Sequence, residues 1–236
     1  MADIDRPRVV VSLYDFTGEA LRPWAERGYT CHAFDIQHPR EGTFSDGIHY
    51  RHADLHSRET LEDIKNEFKN GVAFAMAFPV CTDLAVSGAR HFKRKAELNP
   101  HFQDEAAGHA MACAQLFDDL NVPFFIENPV SVLASVWRKP NHRFHPHEYG
   151  GYISEAHAEH PRWSNYIAAR DAYTKKTCLW SGGGFRMPKR VAVEPVDCAA
   201  QYQQHCKLGG KSQRTKDIRS ATPRGFARAV CEANIL

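Results

Sequence analysis

Short strand-like runs alternate with amphipathic segments through the first half of the chain. The strand-like runs, several of them rich in Val, Ala, Phe and Ile, cover residues 9–14, 31–35, 49–54, 72–77 and 122–126. Segments with apolar positions at helical spacing separate them, at residues 19–27, 57–69 and 100–120. This alternation predicts an α/β fold with a mostly parallel sheet and helices on both of its faces.

The pattern weakens after residue 129. Pro, Gly, His and aromatic residues dominate the stretch 137–188, which predicts loops with a few short strands and no second compact domain. The segment 222–233 is typical of a final helix, with Thr222 as its N-cap and Pro223 in its first turn.

Composition adds the expected cellular setting. The 236 residues are 43% hydrophobic and 25% charged, as in most globular proteins, and the net charge is only +2. The seven cysteines form no CxxC pair and the charged N-terminus has no apolar signal region, so we expect free thiols in a cytoplasmic protein. The longest apolar run is too short to span a bilayer, so no membrane partner is expected.

One stretch near the C-terminus is strongly basic. Residues 207–228 contain seven lysines and arginines and a single acidic residue, Asp217. Such a stretch can form a face that contacts phosphates, or it can be an ordinary solvated surface. The sequence alone leaves both interpretations open.

Chemically useful side chains follow the predicted strands. In open α/β sheets, ligands bind outside the carboxyl ends of the strands. The residues at those ends are Asp15, Phe16, Gly18, Asp35, Asp54, Cys81, Glu127 and Asn128. Carboxylates and a thiol concentrated at one edge of a sheet predict a binding or catalytic site there.

Cys81 and Glu127 are the two residues with the clearest chemistry. Cys81 lies in a loop past the run 72–77, and basic residues at 90–94 would lower its pKa if they folded back over it. A carboxyl that is desolvated after an apolar strand has a raised pKa and can donate a proton to a heterocycle. The pair suits an attack on an electron-poor ring, whereas an inert loop thiol and an ordinary polar turn are the alternatives.

The histidines suggest a metal site, but their spacing disfavours one. They cluster at 142–147 and at 157–160, and none of these spacings matches a compact zinc site. We therefore expect no metal.

Several segments together resemble the DNA (cytosine-5)-methyltransferases, specifically the short phage-type members. The turn 15–18 (Asp-Phe-Thr-Gly) is similar to the family's first motif, which cradles S-adenosylmethionine. The segment 78–81 (Phe-Pro-Val-Cys) resembles the Pro-Pro-Cys loop that carries the nucleophile, and 125–129 (Phe-Ile-Glu-Asn-Pro) resembles the Glu-Asn-Val motif. The segment 141–145 resembles the Gln-x-Arg-x-Arg strand more loosely, and 222–227 is placed like the C-terminal motif that closes the cofactor pocket.

The resemblance implies a Rossmann-like S-adenosylmethionine-dependent methyltransferase fold and assigns roles to residues. The implied catalytic residues are Cys81, Glu127, Asn128 and Arg143, with Arg143 orienting the base or offsetting its developing charge. The implied cofactor-binding residues are Asp15, Phe16, Thr17, Gly18, Asp35, Ile36, Asp54 and Pro79. Among these, Asp35 takes the place of the acid that binds the ribose, and Asp54 that of the acid that contacts the adenine.

The implied activity is methyl transfer from S-adenosylmethionine to C5 of cytosine in DNA, through a cysteine adduct at C6. The implied organisation is a catalytic, cofactor-binding core at 1–145, a short loop-rich insertion at 146–220 in place of a full target-recognition domain, and a C-terminal helix at 221–236 completing the core.

The chain departs from the family pattern in several ways. Val80 replaces the second proline of the nucleophile loop, Ala20 stands in place of the first motif's second glycine, and Pro129 replaces the valine of the Glu-Asn-Val motif. The interval between the Arg-x-Arg-like strand and the last motif is also short. Two alternatives therefore stay open. One is modification of a pyrimidine at C5 at the mononucleotide level or with a group other than methyl, and the other is a non-catalytic relative that binds a nucleotide or DNA.

Overall fold

The computed structural model describes residues 8–196 and 212–235. Its strands are β1 (Val9–Leu13), β2 (Thr30–Asp35), β3 (Thr43–Ser45), β4 (Ile48–His52), β5 (Val72–Ala77), β6 (Phe124–Pro129), β7 (His142–Phe144) and β8 (Thr177–Gly182). Its α-helices are α1 (Arg22–Ala25), α2 (Arg58–Phe68), α3 (Phe92–Leu98), α4 (Phe102–Asp119), α5 (Leu133–Val136), α6 (Gln213–Ser220) and α7 (Arg224–Asn234). Four 3-10 helices cover Val86–His91, Pro146–Tyr152, Glu155–His157 and Ala169–Asp171.

All eight strands belong to one mixed sheet with the order β3-β4-β2-β1-β5-β6-β8-β7. The five strands β4, β2, β1, β5 and β6 are parallel, β3 is antiparallel to β4, and β8 is antiparallel to both β6 and β7. The chain leaves β1 toward β2 and later returns to place β5 on the other side of β1. The carboxyl ends of β1 and β5 therefore flank the point where the strand order reverses, which is where open α/β sheets bind ligands.

Helices cover both faces of this sheet, as the sequence pattern predicts. On one face the core is built with α2 and α4, whose Phe68 and Phe117 pack against apolar strand residues. On the other face α1 and α7 contribute Trp24 and Phe226. Every residue of β5 is buried, which explains why its sequence lacks polar alternation.

The predicted elements match the observed ones to different degrees. Helix α2 begins after Ser57, whose side chain accepts a hydrogen bond from the Thr60 N–H, as expected of an N-cap. The helix predicted at 19–27 is reduced to α1, because turns occupy the residues between Gly18 and Arg22. The prediction of Thr222 as an N-cap is wrong, since α7 begins at Arg224 with Pro223 before it.

Two features are lacking in the residues that the structure describes. Within residues 8–196 and 212–235, no helix is both long and apolar enough to cross a membrane. The same residues hold no group of three or more His, Cys, Asp or Glu side chains that could bind a metal ion. Of the basic segment 207–228, Lys207 and Lys211 lie outside the described residues.

Candidate active site

Cys81 lies in the loop that leaves β5 at the switch point of the sheet. Its carbonyl oxygen accepts hydrogen bonds from the backbone N–H groups of Leu84, at 3.0 Å, and Ala85, at 2.8 Å. The start of the loop is anchored to β1 by the Phe78 N–H, which donates to the Leu13 carbonyl at 3.0 Å. The residue is half-buried, so its thiol is neither fully exposed nor sealed in the hydrophobic core.

Glu127 lies on the neighbouring strand β6, where it pairs with Leu179 of β8. Its Oε1 atom is shielded from solvent and has no hydrogen-bond partner within the described part of the chain. Burial raises the pKa of Glu127, while Lys175 opposes part of that rise. The carboxyl is therefore held in the environment that the sequence led us to expect, one that favours its protonated form at a higher pH than usual.

Cys81 and Glu127 are close enough for their charges to interact. Burial raises the pKa of the Cys81 thiol, and the negative charge of Glu127 raises it further. Lys175 and Arg219 act in the opposite direction. The expectation that basic residues at 90–94 lower this pKa is not met, because the net shift is upward and the cations that oppose it come from elsewhere in the chain.

Asn128 ties the two halves of the site together. It is 1% exposed, and its Nδ2 donates a 3.1 Å hydrogen bond to the carbonyl oxygen of Pro79 in the Cys81 loop. The end of β6 and the loop after β5 are thereby held in a fixed relation. Pro79, assigned to cofactor binding by resemblance, is buried and serves here as the anchor of the loop.

A small pocket opens beside Glu127. Its wall includes the aromatic rings of Phe78, Phe144 and Phe226, and its other lining residues are Lys175, Thr177, Ser220, Ala221, Thr222 and Pro223. The segment 222–226, although nearly 100 residues away in sequence from Glu127, therefore closes over the same space. The cavity volume is about 10 Å³, which is room for one water molecule, so a pyrimidine ring could enter only if the walls moved apart.

Arg143 is the one predicted catalytic residue that the structure does not bring to Glu127. It pairs with Cys178 of β8, and its guanidinium group lies close enough to oppose the rise that burial causes in the pKa of the Cys178 thiol. Cys178 packs into the α2/α4 core, whereas the pocket beside Glu127 includes Phe144 from the α1/α7 core. Because adjacent strand residues point to opposite faces, Arg143 and Glu127 lie on different faces of the sheet.

The turn after β1 is organised by Asp15. Its carboxylate is buried and accepts hydrogen bonds from the Gly18 N–H and the Ser12 hydroxyl, both at 2.8 Å. Burial raises the pKa of Asp15 to about 6. Thr17 is also buried, so Phe16 is the most accessible residue of this turn. It is half-buried, and its ring stacks on that of His38 with the centroids 5.5 Å apart.

The other predicted cofactor residues follow β2 and β4 at the same edge of the sheet. Asp35 is 7% exposed and accepts hydrogen bonds from the backbone and side-chain nitrogens of Gln37. Ile36 is 58% exposed, which is unusual for an isoleucine beside a buried acid. Asp54 is exposed and accepts a hydrogen bond from the His56 N–H at 3.1 Å. The structure thus lines up these side chains next to the Asp15 turn.

Two charged features of this region were not predicted. Lys175 was missed because nothing in its local sequence marks it, and only folding brings it to Glu127. The Glu19 carboxylate is fully buried and contacts Arg22, at 3.3 Å, and Arg162. Glu19 directly follows Gly18 in a helix-like segment, and a buried acid there has no distinguishing sequence signal.

Comparison with models of known protein families and with curated proteins gave no match.

Proposed function

We propose that this protein transfers a methyl group from S-adenosylmethionine to C5 of cytosine in DNA, through a covalent Cys81 adduct at C6. The observation that carries the proposal is that the Cys81 thiol lies within electrostatic range of the Glu127 carboxyl, whose Oε1 is shielded from solvent and has no partner in the described residues. A buried carboxyl is costly unless it has a task or a ligand.

The fold supports a Rossmann-like methyltransferase assignment. If β3 is set aside and the parallel strands are numbered in chain order, they run 3-2-1-4-5 across the sheet. That order places a ligand at the carboxyl ends beside the first strand, as in doubly wound nucleotide-binding folds. The turn 15–18 occupies this position.

The chemistry of the side chains at this edge fits S-adenosylmethionine. Asp35 and Asp54 offer carboxylates suited to ribose hydroxyls and an adenine amine, and Phe16 and the exposed Ile36 offer apolar contacts for the ring. These residues and Gly18 would hold the cofactor, with Pro79 beside it. When bound there, the cofactor supplies an electrophilic methyl group.

Cys81 and Glu127 activate the base. The Cys81 thiolate adds to C6 while Glu127 gives a proton to N3, so that C5 becomes an enamine-like carbon that can accept an electrophile. Once C5 carries its new substituent, a base removes the C5 proton. The S–C6 bond then breaks, N3 returns its proton to Glu127, and the aromatic ring is restored.

Exposed positive charge near the Cys81 loop supports DNA as the substrate. Arg90, Lys93 and Arg94 are exposed on the 3-10 helix Val86–His91 and on α3, directly after the nucleophile loop, whereas the neighbouring Lys95 is paired with Asp83. Such residues can hold phosphates, and a base inside a duplex would have to be flipped out to reach the thiol.

A second candidate is C5 modification of a pyrimidine mononucleotide. It is favoured by the way the loop-rich segment 146–220 begins, with residues that pack against the rest of the fold. The 3-10 helix Pro146–Tyr152 packs into the core, where the fully buried Tyr149 lies edge-on to Phe226 at 5.2 Å. This part of the segment that would carry target recognition therefore belongs to the core. A substrate smaller than a duplex needs less recognition surface.

One experiment separates these candidates. The protein is incubated with S-adenosylmethionine labelled in its methyl group, and with either cytosine-containing duplex DNA or deoxycytidine monophosphate. We expect label at C5 of cytosine in DNA, and its loss in Cys81→Ser. Label on the mononucleotide alone would favour the second candidate, and the absence of label on both would contradict the proposed methyl transfer.

A further inference from the structure

Lys175 occupies an unusual position for a lysine. It is half-buried just before β8, and its carbonyl oxygen accepts a hydrogen bond from the Thr177 hydroxyl at 3.1 Å. Its Nζ donates a 3.0 Å hydrogen bond to the carbonyl oxygen of Arg219 at the end of α6. The ammonium group is held by this bond, and Lys175 is one of the residues that line the pocket beside Glu127.

The charged groups that act on the thiol and the carboxyl come from three parts of the fold. Glu127 on β6 acts on Cys81, Lys175 acts on both of them, and Arg219 acts on Cys81. Arg143, the cation that the family resemblance implies for this site, lies on the other face of the sheet. Lys175 is thus the cation that lines the pocket together with the Glu127 carboxyl.

We propose that Lys175 is a positioning residue that stabilises the state in which Cys81 and Glu127 together carry one negative charge. The inference deepens the proposed function and rests on it for its catalytic meaning. A thiolate and a carboxylate at close range repel each other, so the pair loses its protons in two coupled steps. Because a carboxyl is normally the stronger acid, the first proton leaves mainly Glu127, and the reactive form is the less populated arrangement of the same charge, with the thiolate and the protonated carboxyl.

A fixed cation beside the pair favours that form. It offsets the single charge that nucleophilic attack requires, and its attraction is strengthened because the carboxyl is shielded from water. Removing the positive charge should therefore raise the pH at which Cys81 becomes nucleophilic. Losing the hydrogen bond to Arg219 alone should not have this effect.

The test measures alkylation of Cys81 by iodoacetamide as a function of pH, with modification followed on the Cys81 peptide by mass spectrometry. Lys175→Met removes the charge, Lys175→Gln removes the charge but keeps a donor for the Arg219 carbonyl, and Lys175→Arg keeps the charge. Lys176→Met is the matched control, because Lys176 is the exposed neighbour and acts on Cys178 and His145 instead.

We expect alkylation at neutral pH to slow on the order of tenfold in both the Met and the Gln variant of Lys175, with an unchanged limiting rate at high pH. Lys175→Arg and Lys176→Met should follow the wild type. Wild-type behaviour of Lys175→Gln would overturn the inference, because the neutral side chain would then suffice. A fall in the limiting rate at high pH without a shift of the profile would overturn it too, since that result indicates a steric effect.

The alkylation assay uses neither S-adenosylmethionine nor DNA, so it separates the two claims. If the profile shifts as expected but the wild type methylates no pyrimidine, the charge pairing stands and the proposed function fails. If the wild type methylates DNA and the profile is the same in every variant, the inference about Lys175 alone fails.

Discussion

Gly18 lies at the closest backbone approach in the proposed cofactor turn. Its φ is +68°, and a Cβ atom placed there would lie 2.4 Å from the hydroxyl oxygen of Tyr50 and 2.9 Å from its Cε1. Gly28 offers a matched control, because its φ is +78° and a Cβ atom would meet nothing within 4 Å. Both Gly→Ala changes impose left-handed backbone strain, and only the change at Gly18 adds a steric conflict.

The expected difference can be worked out from these contacts. Left-handed strain costs about 1 kcal/mol for a non-glycine residue, so Gly28→Ala should lower the free energy of unfolding by about that amount. In Gly18→Ala the Tyr50 ring must also move away, which weakens its edge-on contact with His38, where the ring centroids are 5.2 Å apart. An aromatic contact of this kind contributes about 1 kcal/mol, so the total loss should be about 2 kcal/mol.

Urea unfolding of the two variants measures the difference, and a double-mutant cycle with Tyr50→Ala assigns its cause. We expect Gly18→Ala and Tyr50→Ala to couple by about 1 kcal/mol, and Gly28→Ala and Tyr50→Ala to be additive. Binding of S-adenosylhomocysteine should weaken in Gly18→Ala and not in Gly28→Ala. Equal losses of stability at the two glycines, or no coupling to Tyr50, would refute the reasoning.

Two further predictions concern buried polar groups. Asn128→Ala leaves the Pro79 carbonyl without its hydrogen bond, so the free energy of unfolding in urea should fall by about 2 kcal/mol. The covalent adduct between Cys81 and the pyrimidine ring should also form more slowly. Wild-type values of both quantities would contradict the proposed link between Asn128 and the Cys81 loop. Burial raises the pKa of Asp171 from 3.8 to about 6, so the unfolded chain releases this proton first and wild-type stability falls as pH rises between those values. Asp171→Asn keeps an acceptor for the Gly225 N–H but cannot ionise, so about 3 kcal/mol of this loss of stability with rising pH should disappear. Urea unfolding across the same pH range measures the change. A pH dependence equal to that of the wild type would contradict the prediction.

The apolar pattern was sufficient to predict the strands that build the site. The run 72–77 is β5 to the residue. The strand predicted at 122–126 is β6, which continues to Pro129, so Glu127 and Asn128 lie within its last residues and do not follow it as expected. Both still lie near the edge at which β5 ends, because parallel strands separated by helices must end at the same edge, whatever their exact order. Cys81, Glu127 and Asn128 could therefore be grouped before their contacts were known.

Side-chain direction and distant contacts could not be predicted in the same way. The face on which Arg143 lies depends on the register of β7 against β8, and shifting that register by one residue would turn Arg143 to the other face. Lys175 reaches the site through a hydrogen bond to Arg219, 44 residues further along the chain. The helix α3 was missed because it buries no residue, so its apolar pattern is weak.

The central claim is that Cys81 and Glu127 act on the same pyrimidine ring, and covalent trapping tests it most directly. DNA containing 5-fluorocytosine is incubated with the protein and S-adenosylmethionine, and the modified peptide is identified by mass spectrometry. Because fluorine cannot leave C5 as a cation, we predict a stable adduct on Cys81 in the wild type, none in Cys81→Ser, and much slower adduct formation in Glu127→Gln. An adduct on another cysteine, or adduct formation at the wild-type rate in Glu127→Gln, would contradict the account.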